Sequence, residues 1–372
     1  MRIFFLTHFI TLLSSFSMAL IISYMSVRPI VDLSLAKGLV DMPNGRTSHN
    51  RPTATLGGIA IFAGFMLASM IFSPYGSILE LRFITAGTLL MFFIGVKDDI
   101  FVISPFNKLA GQMIAAIILV DFAGVRLTSL HGFMGISNIN YYWSLYLTIF
   151  VVVVIVNAFN LIDGIDGLAA GIGIVTASAF GLWFYLSGQF EFAYLTAALV
   201  GALLGFVRYN VWGKHNKIFM GDTGSLIVGY LIAVFAIQFN QSNILVEGVM
   251  HIKGSPAVSF AILIIPLYDT MRVFIARLCR KQSPFKADKG HMHHKLLELG
   301  FSHAKASLIL ILVNILFIVL AYFIQGLGII TVMVIILSLA SLLSFIPIYI
   351  LKKKGHKLSY CGKEDSKEGL IA

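Results

Sequence analysis

Apolar residues gather along the chain in windows of 16 to 24 residues separated by short polar stretches. A hydrocarbon core takes roughly 20 apolar residues of helix to cross, and about eleven windows fit: 3–25, 56–74, 81–96, 109–125, 143–162, 167–187, 191–208, 223–240, 256–276, 305–325 and 328–351. The third and fourth are the weakest, being short and carrying Arg82 and Asp121 near their ends. The first is longer than the apolar core of a secretory signal and lacks a small-x-small cleavage site, so it reads as a retained span. The pattern predicts an all-α polytopic membrane protein, without internal repeats, low-complexity stretches or a separate soluble domain.

Composition agrees. Of 372 residues 58% are hydrophobic and 12% charged, against about 25% charge in a water-soluble domain, and the mean hydropathy is +0.90. A soluble globular enzyme is excluded. The net charge of +10 would suggest nucleic acid in a soluble protein, but in a membrane protein basic residues collect in cytoplasmic loops and set orientation. With the N-terminus outside, 23 of the 27 Lys and Arg fall on the cytoplasmic side, leaving Arg2, Arg82, Arg126 and Lys253 outside. This places the C-terminus in the cytoplasm and removes nucleic acid as a partner. One transmembrane catalytic domain is expected over 1–351, with cytoplasmic loops 26–55, 97–108, 160–167, 209–222 and 277–304, and then a basic tail, 352–372. Cys279 and Cys361 read as reduced thiols without a role.

Orientation does not call for acids or amides, yet 13 of the 17 acids lie on the same side, and acids at a membrane interface are functional candidates. Lys97-Asp98-Asp99 closes the third window, and its adjacent carboxylates need a cation. Lys108 and Gln112 share a helix face at i, i+4. In NAFNLIDGIDG, Asn157, Asn160, Asp163 and Asp166 repeat at three-residue spacing, a polar edge followed by glycines. In FMGDTGS, Asp222 with Thr223 or Ser225 reads most simply as a helix N-cap. His291, His293 and His294 cluster in a basic loop with Lys286, Lys289 and Lys295, suited to phosphate or, less readily, zinc. The loop DMPNGRTSHNRPTATLGG adds Arg46, His49 and Arg51 as anion donors. Asp269 and Arg272, at i, i+3, read as a structural ion pair. These clusters converge on one face, which suits Mg²⁺-assisted phosphoryl transfer from a soluble anionic donor to a lipid acceptor.

In this order and setting, the first loop, the Asp-Asp pair, NAFNLIDGIDGL, FMGDTGS and the HxHH box resemble the polyprenyl-phosphate N-acetylhexosamine-1-phosphate transferases over nearly the whole chain. The first loop and the His-Met-His-His box are similar to the WecA/TagO branch, which takes UDP-GlcNAc. The MraY type has three consecutive histidines and takes a UDP-muramoyl-pentapeptide. The resemblance implies transfer of a sugar 1-phosphate from a UDP-N-acetylhexosamine to undecaprenyl phosphate, releasing UMP, in the bacterial cytoplasmic membrane with the site facing the cytoplasm. A cell-surface glycan such as O-antigen, common antigen, teichoic acid or capsule would be initiated. Mg²⁺ is implied as cofactor, with Mn²⁺ the alternative; a homodimer is left open.

By motif position the resemblance makes Asp98, Asp99, Asp163, Asp166, His291, His293 and His294 catalytic. It places Asn157, Asn160, Lys108, Arg46, His49 and Lys97 on the substrates, and Asp222, Asp99 and Asn160 at the metal. Another UDP-sugar, UDP-QuiNAc or UDP-FucNAc, is the nearest rival. A lipid transporter predicts polar residues through the bilayer midplane, and the DGxxAR pattern of the CDP-alcohol phosphotransferases is absent.

Overall fold

Lipid offers the backbone no hydrogen bonds, so apolar windows of this length must close their own by becoming helices, and each window does. The computed structural model describes residues 2–42, 52–73, 78–281 and 290–354. Its helices are α1 (Arg2–Lys37), α2 (Gly57–Phe72), α3 (Ile78–Ile100), α4 (Pro105–Ile117), α5 (Tyr141–Ile162), α6 (Leu168–Leu186), α7 (Phe190–Trp212), α8 (Gly221–Asn243), α9 (Ser255–Ile262), α10 (Ile264–Cys279), α11 (Met292–Glu298), α12 (His303–Ile324) and α13 (Ile329–Lys353). Among the described residues eight helices are long and apolar enough to cross a membrane, nine if α9 and α10 count as one, and α2 is a shorter apolar helix. The chain is an all-α polytopic membrane protein. Its strands are two short antiparallel pairs, β1 (Val40–Asp41) with β2 (Thr53–Ala54) and β3 (Ser129–Phe133) with β4 (Ile136–Asn138).

Helix α8 is the core. Nearly all its residues are buried, and it packs against α2, α3, α5, α6 and α9. Two glycines permit the closest crossings. A Cβ on Gly58 would stand 2.1 Å from the Gly224 nitrogen, and one on Gly95 would stand 2.3 Å from Thr223 Cα. Small residues let membrane helices approach in this way. The chain before α2 is stitched to the segment before α8: Phe219 N donates to Ala54 O, Gly57 N to Phe219 O and Gly58 N to Met220 O.

Two expectations are corrected. First, α1 does not end near residue 25 but runs to Lys37, shortening the predicted loop 26–55. Residues 26–37 are amphipathic, burying Val27, Val31 and Ser34 on one face and exposing Arg28 and Asp32, so no uninterrupted apolar run marks them. Second, window 256–276 is two helices meeting at 81°. Pro266 has no N–H to give the Ile262 carbonyl four residues back. Asn314 of α12, fully buried, fills the gap: its Nδ2 donates to Ile262 O at 3.1 Å and its Oδ1 accepts from Ile265 N at 3.5 Å.

Thr176 Oγ1 also donates to Ile262 O, at 3.5 Å, but Asn314 alone of the two serves both sides of the bend. Asn314→Leu keeps the volume but removes both contacts, and stability should fall by about 1–3 kcal/mol, the cost of unsatisfied buried backbone groups. Thermal unfolding in detergent reads this as a lowered melting temperature, and an unchanged one refutes the role of Asn314.

Candidate functional site

The N-terminus of α8 presents backbone N–H groups that its own helix leaves without partners. Asp99, at the end of α3, takes them: its Oδ1 accepts from Asp222 N at 2.7 Å, and its Oδ2 accepts from Thr223 N at 3.0 Å and Thr223 Oγ1 at 2.6 Å. The expected cap by Asp222 is corrected. Asp222 lies inside the first turn, and the carboxylate that caps α8 comes from another helix. Gly221, at φ +70, brings the chain under Asp99, since a Cβ there would lie 2.7 Å from both carboxylate oxygens.

Freed from capping, Asp222 turns to Lys108. The Lys108 ammonium donates to Asp222 Oδ1 at 2.5 Å, Asp98 Oδ2 at 3.0 Å and Asn160 Oδ1 at 3.3 Å. Asn160 Nδ2 in turn donates to Asp222 Oδ1 and, at 2.9 Å, to Ser225 Oγ. Four helices, α3, α4, α5 and α8, thus meet on one ammonium. One turn further along, Gln112 Oε1 accepts from Asn157 Nδ2 at 2.7 Å, a second rung between α4 and α5. The shared face of Lys108 and Gln112 and the polar edge of Asn157 and Asn160 meet each other. Asp98 Oδ1 also accepts from Ile103 N at 2.9 Å.

After α5 the chain turns through residues 163–167, with Gly167 at φ +76. Asp163 takes no hydrogen bond among the described residues. Burial, then the charges of Asp222, Asp99 and Asp166, push its carboxyl up to about 8. Asp166 differs: burial alone would raise it, but its Oδ2 accepts from Lys217 Nζ at 2.7 Å and pairs with His303 Nδ1 at 3.2 Å, which bring it below the usual carboxylate range. Lys217 and His303 were not foreseen as its partners, because nothing in sequence spacing links residues 51 and 137 positions apart.

The histidine box opens α11. His291 and His293 are buried, with rings stacked at 5.7 Å, and His294 tilts against His293 at 4.3 Å. Burial first, and then the neighbouring His294, lower His293 to about 3, so it is neutral. Its Nε2 is buried without a partner and faces Gly164, where a Cβ would come within 2.4 Å. The box and the 163–167 turn are therefore packed together. The Asp269–Arg272 pair forms, at 2.8 Å, but it also holds the box, since Asp269 Oδ2 accepts from His291 Nδ1 at 2.9 Å. Lys295 points inward to Glu298 at 2.9 Å. Lys97 is exposed at the end of α3. Arg46, His49, Arg51, Lys286, Lys289, Cys361 and residues 355–372 of the tail lie outside the described residues.

Among the described residues no three His, Cys, Asp or Glu side chains are spaced to hold a metal ion. Mg²⁺ does not need such a cage, because it is commonly held by one or two carboxylates with waters and substrate phosphates. Asp163, with no hydrogen bond among the described residues, and Asp222, with one oxygen uncommitted, are the carboxylates that fit it best. Both oxygens of Asp99 accept from α8.

Residues 81–240 match glycosyl transferase family 4. The chain is 33% identical over 278 residues, 74% of either chain, to the undecaprenyl-phosphate alpha-N-acetylglucosaminyl 1-phosphate transferase of Yersinia pestis. It is 33% identical over 282 residues, 74% of this chain and 73% of the other, to the protein of the same name in Escherichia coli K12. Over 299 residues, 80% of either chain, it is 30% identical to a probable undecaprenyl-phosphate N-acetylglucosaminyl 1-phosphate transferase of Bacillus subtilis. Relatives of this identity and coverage place the chain in glycosyl transferase family 4, and three of its motifs meet at Lys108.

Proposed function

We propose that the chain transfers N-acetylglucosamine 1-phosphate from UDP-GlcNAc to undecaprenyl phosphate, giving undecaprenyl-diphosphate-GlcNAc and UMP. The observation that carries this reading is the Lys108 ammonium held between Asp98 and Asp222 at 3.0 and 2.5 Å, a cation at the helix ends where a lipid phosphate meets a soluble diphosphate. The names of the relatives support both the GlcNAc 1-phosphate and the undecaprenyl acceptor.

A phosphate monoester is already ionised near neutral pH, so no base is needed to create the nucleophile. One of its oxygens bonds to the β-phosphorus of UDP-GlcNAc, and the bond from that phosphorus to the bridging oxygen breaks, releasing UMP. Lys108 neutralises the incoming phosphate. Asp98, bonded to both Lys108 and the Ile103 amide, sets the position of the ammonium. Asn160 holds Asp222, and Asp99 holds the helix that bears it, so we assign Asp99 to positioning rather than to the metal. His291, His293 and His294 contact the diphosphate or sugar. Asp222 and Asp163 would hold Mg²⁺, which when bound offsets the charge of the diphosphate.

Eleven spans with the N-terminus outside put this site on the cytoplasmic side of a bacterial inner membrane, where UDP-sugars are available. The distribution of Lys and Arg supports that orientation. The site residues lie at the C-terminal ends of α3 and α5 and the N-terminal ends of α4 and α8, so they share one face, as antiparallel neighbours require.

Three outcomes are expected. Purified protein given undecaprenyl phosphate, Mg²⁺ and a panel of UDP-N-acetylhexosamines should make lipid-linked product fastest from UDP-GlcNAc; a preference for another sugar overturns the donor assignment. Lys108→Ala or Asp222→Asn should lower the rate by about 10²-fold or more, as expected when a preorganised charged contact is removed, and wild-type turnover would reject the Lys108 site. Asp163, raised to about 8, holds its proton more tightly than a free carboxyl. Proton and cation therefore compete for it, and raising Mg²⁺ should move the acidic limb of the rate–pH profile to lower pH. A limb that ignores Mg²⁺ removes Asp163 from the metal.

A further inference from the structure

The histidine box is held by a side chain outside it. Asp269, on the buried face of α10, offers two oxygens to three donor groups, one on its own helix and two beyond it. Oδ1 accepts from Arg272 Nη2 at 2.8 Å and Met292 N at 3.0 Å, and Oδ2 accepts from His291 Nδ1 at 2.9 Å and Met292 N at 3.2 Å. Met292 is the first residue of α11, so the carboxylate caps that helix from across the fold, as Asp99 caps α8. Arg272 Nη2 also donates to Gly290 O at 2.6 Å. The Asp269–Arg272 pair therefore grips residues 290 to 292 by the backbone at both ends and by the His291 ring between them.

A carboxylate accepting from Nδ1 fixes the imidazole tautomer and the ring orientation. The proton sits on Nδ1, and Nε2, which has no hydrogen-bond partner among the described residues, is the nitrogen left for a ligand. Beside the ring lie Arg272, which shares Asp269 with it, and His293 and His294 of the same box; His303 on α12 acts on His293.

We propose that Asp269 is a positioning residue for the transfer reaction, setting the tautomer and orientation of His291 and so the group that the box presents to the diphosphate. The inference rests on the proposed reaction. It adds a residue on α10, outside the motifs that carry the family resemblance, and gives it a task other than binding substrate or metal.

Three variants test it in the full-length protein: Asp269→Asn, Asp269→Glu and His291→Gln. Asp269→Asn should lower kcat by about 10- to 100-fold, the usual effect of removing a residue that orients a functional histidine, with KM for UDP-GlcNAc little changed. Asp269→Glu keeps a carboxylate acceptor and should recover part of the rate. In the His291→Gln background, Asp269→Asn should cost little more. No recovery with Asp269→Glu, or losses that multiply in the double variant, would show a purely structural Asp269 and overturn the proposal. If the wild-type protein turns over no UDP-GlcNAc, the reaction assignment fails and not the tautomer claim, which ¹⁵N-histidine NMR then decides. A protonated Nδ1 on His291 that Asp269→Asn abolishes sustains the claim; a tautomer unaffected by Asp269→Asn refutes it.

Discussion

The site depends on how the buried N-terminus of α8 is satisfied. A helix that begins among other helices cannot leave its first N–H groups to water, and α8 supplies no cap of its own. Asp99 closes it from α3 with three bonds. This commits both oxygens of one carboxylate to structure and releases Asp222, one residue into the helix, to face Lys108 and Asn160. The positive end of the helix dipole also eases the gathering of acids around it. Substituting Asp99 would disturb the placement of Asp222 before it disturbed any chemistry.

The helices and the site were legible in the sequence to different depths. Apolar windows show where backbone must close on itself, so every window became helix. Polar residues at the ends of those windows stand out because lipid makes them costly, and Asp98, Lys108, Asn157, Asn160, Asp163 and Asp222 do meet or sense one another's charge. Which oxygen serves which donor was not legible. Asp99 and Asp222 sit in equally polar motifs, and only the crossing of α3 over α8, at Gly95, decides that the first caps and the second does not. Asp269 was hidden for a related reason: its i, i+3 arginine explains it fully within α10, while its second task depends on where the chain re-enters at residue 290. The bend after Ile262 required Pro266 to be read against a partner 48 residues further on, Asn314.

Two of the molecule's short helical starts are thus solved alike. α8 is capped by Asp99 of α3 and α11 by Asp269 of α10, each carboxylate coming from a neighbouring helix. The side chain that follows the capped backbone, Asp222 in one case, or precedes it, His291 in the other, is fixed in direction by the same interaction. A local cap would hold its helix equally well, but it would not tie the helix's functional side chain to a second element. Capping in trans does both, and it makes the relative placement of Asp222 and the histidine box a property of how α3, α8 and α10 pack.

The balance of charge at Lys108 gives this packing its chemical meaning. One ammonium is shared by Asp98 and Asp222, and its charge is already neutralised by them. A phosphate dianion brought beside it meets net negative charge unless one carboxylate is offset from elsewhere. Asp163 feels the same excess of negative charge, since burial and then Asp222, Asp99 and Asp166 push its carboxyl up to about 8. A site built to bind two phosphorylated substrates is therefore short of positive charge by its own residues. The missing charge is wanted beside Asp163 and Asp222, where uncommitted oxygens remain. The lack is felt at Asp99 too, whose carboxyl burial pushes up to about 6 despite its bonds to α8, while Asp166, despite its burial, is held down by His303 and Lys217.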